Sequence, residues 1–391
     1  GIMMFLFVDS MLQGGERDSE RNLIWYETSS ARIYHRENVD EWKRANLKNL
    51  IENPDQILNN LRSAGLKATA RSVFNGEMIV YKDPFPEDGS LQVRVTAIDP
   101  LTDSTVYRFQ NDLTENSTWL EPGTNQIIMG GWMAEDIGAD IGYSVTIVTR
   151  TYDGAYQTFD LEIVGLANTG NPIVNRGAIL MDQGYADEFL MLNGAVTQID
   201  LSFPITAEAD EAVAVIQEAL PPNRNDVDVL SWQDLAADYL LLAASKQSGS
   251  AVILGILFII ALVGISNTML LAMYERRREL GMMRALGMKN SEIMLSFLLE
   301  AGGIGIIGGA IGLALGAGVV AFLVEIGINY EFLLRDFDAG YRISSVFRGV
   351  WRPEMFVLSL IAATLMAMVS ALIPTRHAMK MNITECLSSD T

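Results

Sequence analysis

The densest group of charged side chains in this 391-residue chain lies in a short segment, residues 267–289, between two apolar stretches. At helical spacing, one face of the segment is charged and the other apolar. Such a helix can bind a partner protein through ion pairs and an apolar ridge, or lie on a membrane with its arginines on anionic lipid. The residues alone leave both interpretations open. The charged face carries Glu275, Arg277, Arg278 and Glu279, and the apolar side chains are Leu280, Met283, Leu286 and Met288.

Residue patterns for catalysis are missing from the sequence. No lysine follows a glycine or precedes a serine or threonine, so the chain has no phosphate-binding loop of the Gly-Lys-Ser/Thr type. It also lacks HExxH, GxSxG and Cys/His constellations. The single cysteine, Cys386, excludes an intramolecular disulfide, and His35 and His377 are too few for a histidine metal site. We therefore predict a chain that is not an enzyme and holds no cofactor or metal of its own.

The negative charge is confined to the first part of the chain. The net charge is −20, and 49% of the residues are hydrophobic. Residues 1–248 hold 17 Lys and Arg against 37 Asp and Glu, whereas residues 249–391 hold 11 of each. An acidic, water-exposed domain joined to a neutral membrane domain explains this distribution. With no basic surface to neutralise phosphates, nucleic-acid binding is not expected.

Three apolar stretches are long enough to cross a bilayer: residues 249–273, 293–327 and 355–375. Residues 1–14 are apolar apart from Asp9 and small polar residues, and are too short to span alone. We interpret them as the outer end of a first transmembrane helix whose beginning is missing; the alternative is the remnant of a secretion signal. The sequence thus predicts an α-helical membrane protein with four transmembrane helices, the first truncated, and a large α+β extracytoplasmic domain on a helical stalk.

Basic residues in the short loops set the expected orientation. Segment 274–292 and the tail after Thr375 lie on the same side and together hold seven Lys and Arg. The positive-inside rule places them in the cytoplasm and the large domain outside. The predicted division is: end of helix 1 at 1–14, extracytoplasmic core domain with stalk at 15–247, helix 2 at 248–273, cytoplasmic coupling helix at 274–292, helix 3 at 293–327, extracytoplasmic loop at 328–354, helix 4 at 355–375, and cytoplasmic tail at 376–391.

Helical and strand patterns alternate in the exported domain. Ser231 and Asp234 have the spacing of a capping box, and the helical pattern after them has no breaker before residue 249, which predicts one stalk helix from 232 to 273. Asp153-Gly154 predicts a tight hairpin turn. Helices are predicted over 40–63 and 207–220, and strands over 68–81, 91–98, 143–151, 156–164, 179–181 and 196–203.

The charged segment resembles the cytoplasmic coupling segment of FtsX-like permeases, which include the MacB-type mechanotransmitters and the lipoprotein-releasing permeases. The similar pattern is Glu-Arg-x-Arg-Glu-hydrophobic-Gly-x-x-Arg-Ala-hydrophobic-Gly. The resemblance continues through 298–305 and ends near 370–387, where Asn382-Ile383 stands in place of the usual Asp-Pro. The residues that carry the pattern are Glu275, Arg276, Arg278, Glu279, Gly281, Arg284, Ala285 and Gly287.

This resemblance implies a permease subunit of an ABC transporter of the MacB/FtsX type. It implies two copies of a partner ATPase, which bind ATP and Mg²⁺, and a second permease subunit, either identical or different. The eight pattern residues would couple ATP hydrolysis to movement of the exported domain. The cargo would be a lipoprotein or lipid-like substrate, with an extracytoplasmic carrier protein as a further partner, in the bacterial cytoplasmic (inner) membrane. The alternatives are an FtsX-like signalling subunit that regulates a cell-wall enzyme, and MacB-like efflux of peptides or drugs.

Glycines crowd the third apolar stretch at small-xxx-small spacing, which allows close helix contact. Tight packing within one subunit and a seam between two subunits remain alternatives. Glu300 is costly at this depth unless it is paired, and we expect it to pair with an arginine of the coupling segment rather than to relay protons. The residues proposed for packing are Glu300, Gly305, Gly308, Gly309, Gly312 and Gly316.

Overall fold

The computed structural model describes residues 1–38, 45, 47–79, 89–203, 209–329 and 346–379. Its contacts divide these residues into two units, which are described separately. The membrane unit contains Gly1–Glu16, Leu242–Asn329 and the described residues from Val346 onward. The sheet unit contains the described residues of Arg17–Leu241.

Nine strands form one mixed sheet in the sheet unit, in the order β3-β7-β4-β6-β5-β2-β8-β1-β9. An additional pairing of β2 with β3 closes six of them (β2 to β7) into a ring. The strands are β1 Ala31–His35, β2 Lys67–Ile79, β3 Ser90–Ile98, β4 Gln126–Gly130, β5 Ser144–Arg150, β6 Tyr156–Ala167, β7 Ala178–Asp182, β8 Gln198–Ser202 and β9 Val227–Ser231.

The ring is filled by side chains that alternate along its strands. In β6, Phe159, Leu161 and Ile163 are buried, and the residues between them are exposed. This two-residue period places every second side chain inside, as expected for a sheet with one buried face. Val93, Val95, Val145, Ile147, Ile179 and Met181 join the same buried cluster.

Short helices cover the sheet. α2 (Pro54–Ser63) and α6 (Ala209–Ala219) lie on the β8-β1-β9 part, where Ile57, Leu61 and Ile216 are fully buried. α3 (Gly131–Ile137), α4 (Pro172–Gly177) and α5 (Gln183–Leu190) connect the strands of the ring. The α+β character expected for this part of the chain is therefore present.

Most of the strands and the hairpin turn that the sequence predicts are present in the sheet unit. The predicted strands agree with β2, β3, β5, β6, β7 and β8 to within a few residues, although residue 81 lies outside the described residues. The hairpin turns at Gly154, whose φ is +88°. The helix predicted over 40–63 is wrong in part: α2 begins only at Pro54, because residues 47–53 are irregular and Asn53 has a left-handed backbone (φ +48°). Residues 40–44 lie outside the described residues.

The predicted stalk helix is interrupted. Ser231 and Asp234 form the expected capping box and start α7 (Trp232–Leu235). Ala236 then leaves helical geometry at φ −99° and ψ 15°, and α8 runs from Ala237 to Glu275 without a break. The stalk is thus one turn of helix followed by a 39-residue helix rather than a single element.

A buried network surrounds the chain where it leaves α1 (Ile2–Leu23) through a π-helical turn, Ile24–Thr28. Arg32 pairs with Asp200, and these side chains are 6% and 0% exposed. The Arg32 Nη2 atom donates to the Glu27 carbonyl (2.6 Å) and to the Tyr107 hydroxyl (3.0 Å). The guanidinium thereby fixes this turn to the sheet.

Further polar contacts hold the same turn. Asn171 Nδ2 donates to Glu27 Oε1 at 2.6 Å, and Asn22 Nδ2 donates to the Gly170 carbonyl at 2.8 Å. Burial, and then the hydrogen bond to the Asp112 carboxylate, raise the pKa of the Tyr26 phenol, which therefore stays protonated and donating. The end of α1 is consequently tied to several distant parts of the sheet unit.

Four helices make up the membrane unit besides the first part of α1: α8, α9 (Arg277–Ala285), α10 (Asn290–Glu325) and α11 (Pro353–Met379). Among the residues whose side chains are described, Asn290–Glu325 and Pro353–Leu372 are long and apolar enough to cross a membrane, each with a mean hydropathy of 2.3. A short antiparallel pair, β10 (Ile328–Asn329) and β11 (Val346–Phe347), follows α10. The four-helix count stays a prediction.

Removing one partner of the buried Arg32–Asp200 pair should destabilise the protein strongly. In Asp200→Ala the Arg32 charge stays buried without its carboxylate, and we expect a loss of about 3–5 kcal/mol in the free energy of unfolding. The measurement is chemical unfolding of the full chain in mild detergent, followed by tryptophan fluorescence.

Asp228→Ala is the matched control. Asp228 of β9 pairs with Arg36, which directly follows β1, but these side chains are 42% and 58% exposed, so the loss of this pair should destabilise the protein far less. Equal losses for the two variants would contradict a special role of the buried pair.

Candidate coupling segment and helix seam

The charged segment is not one helix in the structure. α8 ends at Glu275, Arg276 leaves helical geometry (φ −95°, ψ 16°), and the nine-residue α9 follows. The amphipathic helix expected over 274–292 is therefore shorter than predicted, and α10 already begins at Asn290.

A glycine ends α9 by a hydrogen-bonded cap. Gly287 has φ +89°, its N–H donates to the Arg284 carbonyl (3.1 Å), and the Met288 N–H donates to the Met283 carbonyl (3.2 Å). This is a Schellman motif, in which the left-handed residue is usually glycine. Gly287 thus has a structural role that its place in the sequence pattern did not reveal.

The apolar face of α9 is divided between a packed side and an exposed side. Met283 packs with Phe297 on the fully buried Ile293 of α10. Leu286 and Met288, by contrast, are 86% and 36% exposed. The Leu280 side chain lies outside the described part of the chain. Leu286 is therefore available to a partner, whereas Met283 holds α9 against α10.

Arg276 and Glu300 form the ion pair that the sequence predicted. The Arg276 Nη1 atom contacts Glu300 Oε1 on α10. The pair connects the corner between α8 and α9 to α10 near its third turn.

The remaining pattern residues differ in exposure. Gly281 is buried and Arg284 is half-buried. The exposed ones, which form the outer face of the segment with Leu286, are Glu275, Arg276, Arg278, Glu279, Ala285 and Gly287.

A continuous row of glycines on α10 brings two other helices close. A Cβ atom on Gly305 would lie 2.9 Å from Ala367 Cβ and 3.1 Å from Thr364 Cα of α11. A Cβ atom on Gly316 would lie 2.7 Å from Leu6 Cδ1 of α1. Gly309 and Gly312 complete the row against Leu360 and Ile2, respectively.

Gly308 does not belong to this row. A Cβ atom there would meet nothing within 4 Å. Small-xxx-small spacing had grouped it with Gly312 and Gly316, but helical geometry turns Gly308 away from α1 and α11. The other four glycines pack within one chain, so the intrachain alternative applies to them.

The C-terminal part of the chain matches a known protein family. Residues 251–383 match the family described as FtsX-like permease C-terminal, and they include α9, α10, α11 and most of α8. The chain carries an FtsX-like permease domain. The segment that binds Glu300 through Arg276, and the glycine row, both lie within this domain.

The relatives are named as transporter components. The chain is 23% identical over 291 residues to an uncharacterized ABC transporter permease of Methanocaldococcus jannaschii (73% of this chain, 68% of that one). It is 25% identical over 270 residues to the ABC transporter permease YtrF of Bacillus subtilis (65% and 61%). It is 26% identical over 160 residues to the macrolide export ATP-binding/permease protein MacB of Hahella chejuensis (40% and 22%).

A solved structure also matches part of the chain. The periplasmic region of MacB from Actinobacillus actinomycetemcomitans aligns with 56% of this chain and 95% of that one, at 11% identity and a TM-score of 0.37. The similarity of this chain to known permeases rests on the match of residues 251–383 and on the relatives named as ABC transporter permeases.

Adding a methyl group to the glycine row should loosen the helices of the FtsX-like domain. Gly305→Ala places a Cβ atom against the backbone of Thr364, which cannot rotate away, so we expect a loss of about 1–3 kcal/mol. The measurement is thermal unfolding of the full chain in detergent. Gly308→Ala, the same change one turn away in open space, should be neutral or slightly stabilising; a loss equal to that of Gly305→Ala would contradict the intrachain seam.

Exchanging the charges of the Arg276–Glu300 pair should restore the attachment of α9 to α10 that each single substitution removes. Arg276→Glu alone and Glu300→Arg alone put like charges together, and trypsin should then cleave at Arg277 and Arg278 faster than in the parent. The double variant should return toward the parental rate, because opposite charges face each other again. Cleavage that is no slower in the double variant than in the singles would show that the pair does not hold α9.

Proposed function

We propose that this chain is a permease subunit of an ABC transporter in which the segment 275–287 docks on a separate ATPase. The observation that carries the proposal is the exposed outer face of the segment 275–287, which includes Leu286 directly after α9, on a segment linked to α10 by the Arg276–Glu300 ion pair. A docking face needs both properties, because it must be accessible to the partner and must move a transmembrane helix when the partner moves it.

The absence of a phosphate-binding loop from these residues supports the proposal of a partner ATPase. These 391 residues hold no Gly-Lys-Ser/Thr loop, and we propose that a partner ATPase binds ATP and Mg²⁺ and supplies the nucleotide chemistry. The MacB relative is named as a fused ATP-binding/permease protein, and this chain covers 22% of its length. We propose two ATPase copies and two permease subunits in the assembly.

Orientation follows from the arginines of the coupling segment. A segment that meets a cytoplasmic ATPase must itself be cytoplasmic, and its arginines and lysine agree with the positive-inside rule. The acidic sheet unit then lies outside a bacterial cytoplasmic membrane. Movement of this unit, rather than opening of a solute channel, would be the output.

For the cargo we propose a lipoprotein or lipid-like substrate, handed to an extracytoplasmic carrier. The large acidic domain that we place outside the membrane supports this class. The names of several relatives, which include the word export, favour a second candidate: efflux of a peptide or small molecule. Regulation of a cell-wall enzyme is the third outcome of the test below.

Mass spectrometry of the complex, purified in mild detergent, separates these functions. An ATP-binding subunit together with a lipoprotein or acylated peptide would support lipoprotein release. A periplasmic adaptor without lipid cargo would favour efflux, and a cell-wall hydrolase would favour regulation. Absence of any ATP-binding subunit would contradict the proposal.

Reversing the charge and polarity of the outer face should release the ATPase. In Arg278→Glu with Leu286→Asp, we expect copurifying ATP hydrolysis to fall by about tenfold or more, because an arginine and a desolvated apolar anchor dominate such interfaces. These two side chains are exposed, and neither takes part in the Arg276–Glu300 pair. Lys67→Glu, an exposed charge reversal in the sheet unit, is the control and should leave ATP hydrolysis unchanged. Undiminished hydrolysis in the double variant would place the docking face elsewhere.

A further inference from the structure

Residues 346–352 consist of β11 and the five residues that connect it to α11, and we name them the strap. β11 begins the strap and pairs with β10, which directly follows α10. The Gly349 N–H then donates to the Leu323 carbonyl in the last turn of α10, at 3.1 Å. The strap is therefore bound along the C-terminal end of α10.

The same strap is bound to α1 through Ser10. The Ser10 hydroxyl donates to the Val350 carbonyl at 3.0 Å and accepts from the Val350 N–H at 3.1 Å. Both backbone groups of Val350 are thus satisfied by one side chain of α1, and Ser10 is 3% exposed. A buried two-way contact of this kind fixes the position of the strap along α1.

Ion pairs of Arg352 connect the strap to α1 and to α11. Arg352 Nη1 lies 3.1 Å from Asp9 Oδ1 on α1, and Arg352 Nε lies 2.9 Å from Glu354 Oε1 in the first turn of α11. The Asp9 side chain is 12% exposed, and a carboxylate in an apolar helix is costly unless it is paired. Arg352 therefore joins the only acidic residue of 1–14 to the beginning of α11.

The close approach of strap and helix depends on a glycine. A Cβ atom on Gly14 would lie 2.1 Å from the Arg348 carbonyl oxygen and 2.9 Å from Gly349 Cα. Both are backbone atoms, which cannot move aside as a flexible side chain can. Backbone contact and charge pairing thus converge on one side of α1, at residues 9, 10 and 14.

We propose that the strap holds α1 against the C-terminal end of α10 and the N-terminal end of α11, so that the three helices move as one body, with Arg352 as its positioning residue. One consequence rests on the proposed function: a displacement of α10 by the coupling segment would be passed to α1. The strap itself requires no partner, cargo or nucleotide, and it can be tested without them.

Disulfide cross-linking between α1 and α10 measures whether the strap holds α1. In the full chain with Cys386→Ala, Leu6→Cys and Gly316→Cys place two thiols where the Leu6 Cβ atom lies 3.5 Å from a Cβ built on Gly316. This spacing suits a disulfide, and Leu6→Cys also removes the branched end that contacts Gly316. The initial rate of oxidation in native membranes is the readout.

Removing Arg352 should slow this cross-link. In Arg352→Ala, Asp9 loses its partner and α1 separates from the strap, so we expect the initial rate to fall about tenfold. The cross-linking rate in Asp9→Ala should fall to a similar extent. The rate in the double variant should fall no further than in either single variant, because both substitutions remove the same interaction. Arg348→Ala, in the same strap but with an exposed side chain, should match the parent.

If Arg352→Ala does not fold, the milder substitution Ser10→Ala tests the strap by the same cross-linking rate. It removes the hydroxyl alone and should slow the cross-link about two- to threefold, while size-exclusion profiles and thermal unfolding stay near those of the parent. Parental rates in both Arg352→Ala and Ser10→Ala would overturn the proposal and assign the position of α1 to the glycine row. Because the readout needs neither ATP nor ATP hydrolysis, failure of the proposed function would leave its result unchanged.

Discussion

Close backbone contact along the glycine row of α10 is the constraint on which the membrane unit depends. Between helices in lipid the hydrophobic effect gives little attraction, so association rests on van der Waals packing and on a few polar contacts. The row from Gly305 to Gly316 supplies the packing against α11 and α1. Ion pairs lie near its two ends: Arg276 with Glu300, and Asp9 with Arg352. An apolar seam is thus accompanied by an ion pair near each of its ends, which favours one register of the helices.

The sheet unit is also held together by close packing and a few buried charges. Its ring of six strands pairs the edges that an open sheet would leave free, and its interior is filled by alternating aliphatic side chains. Charge is nevertheless buried on the other face, where Arg71 binds Asp103 through two contacts of 2.7 and 2.8 Å and lies 3.2 Å from the centre of the Tyr107 ring. Because such pairs are costly to break and weakly stabilising to keep, they favour one arrangement of strands over near alternatives.

Local signals were enough to predict the hairpin at Asp153-Gly154, the capping box of Ser231, and an arginine partner for Glu300. Each depends on neighbouring residues or on the cost of one unpaired charge. The ring closure between β2 and β3, and the pairing of Asp9 with Arg352, join residues by tertiary packing that spacing does not encode. The same limit explains Gly308: the sequence shows small-residue spacing but not which face of the helix meets a neighbour.

The position of β1 between β8 and β9 has a consequence for synthesis. β1 directly follows the π-helical turn after α1, yet both of its neighbours lie in the last part of the sheet unit. At roughly 5–20 residues per second, the ribosome needs on the order of 10–40 s to make the roughly 200 residues in between. Both edges of Ala31–His35 have unpaired backbone groups until β8 has been made, and one edge stays unpaired until β9 ends at Ser231. A nascent chain of this protein therefore carries an unpaired strand after α1 for most of the synthesis of the sheet unit, and an unpaired strand edge can pair with other chains.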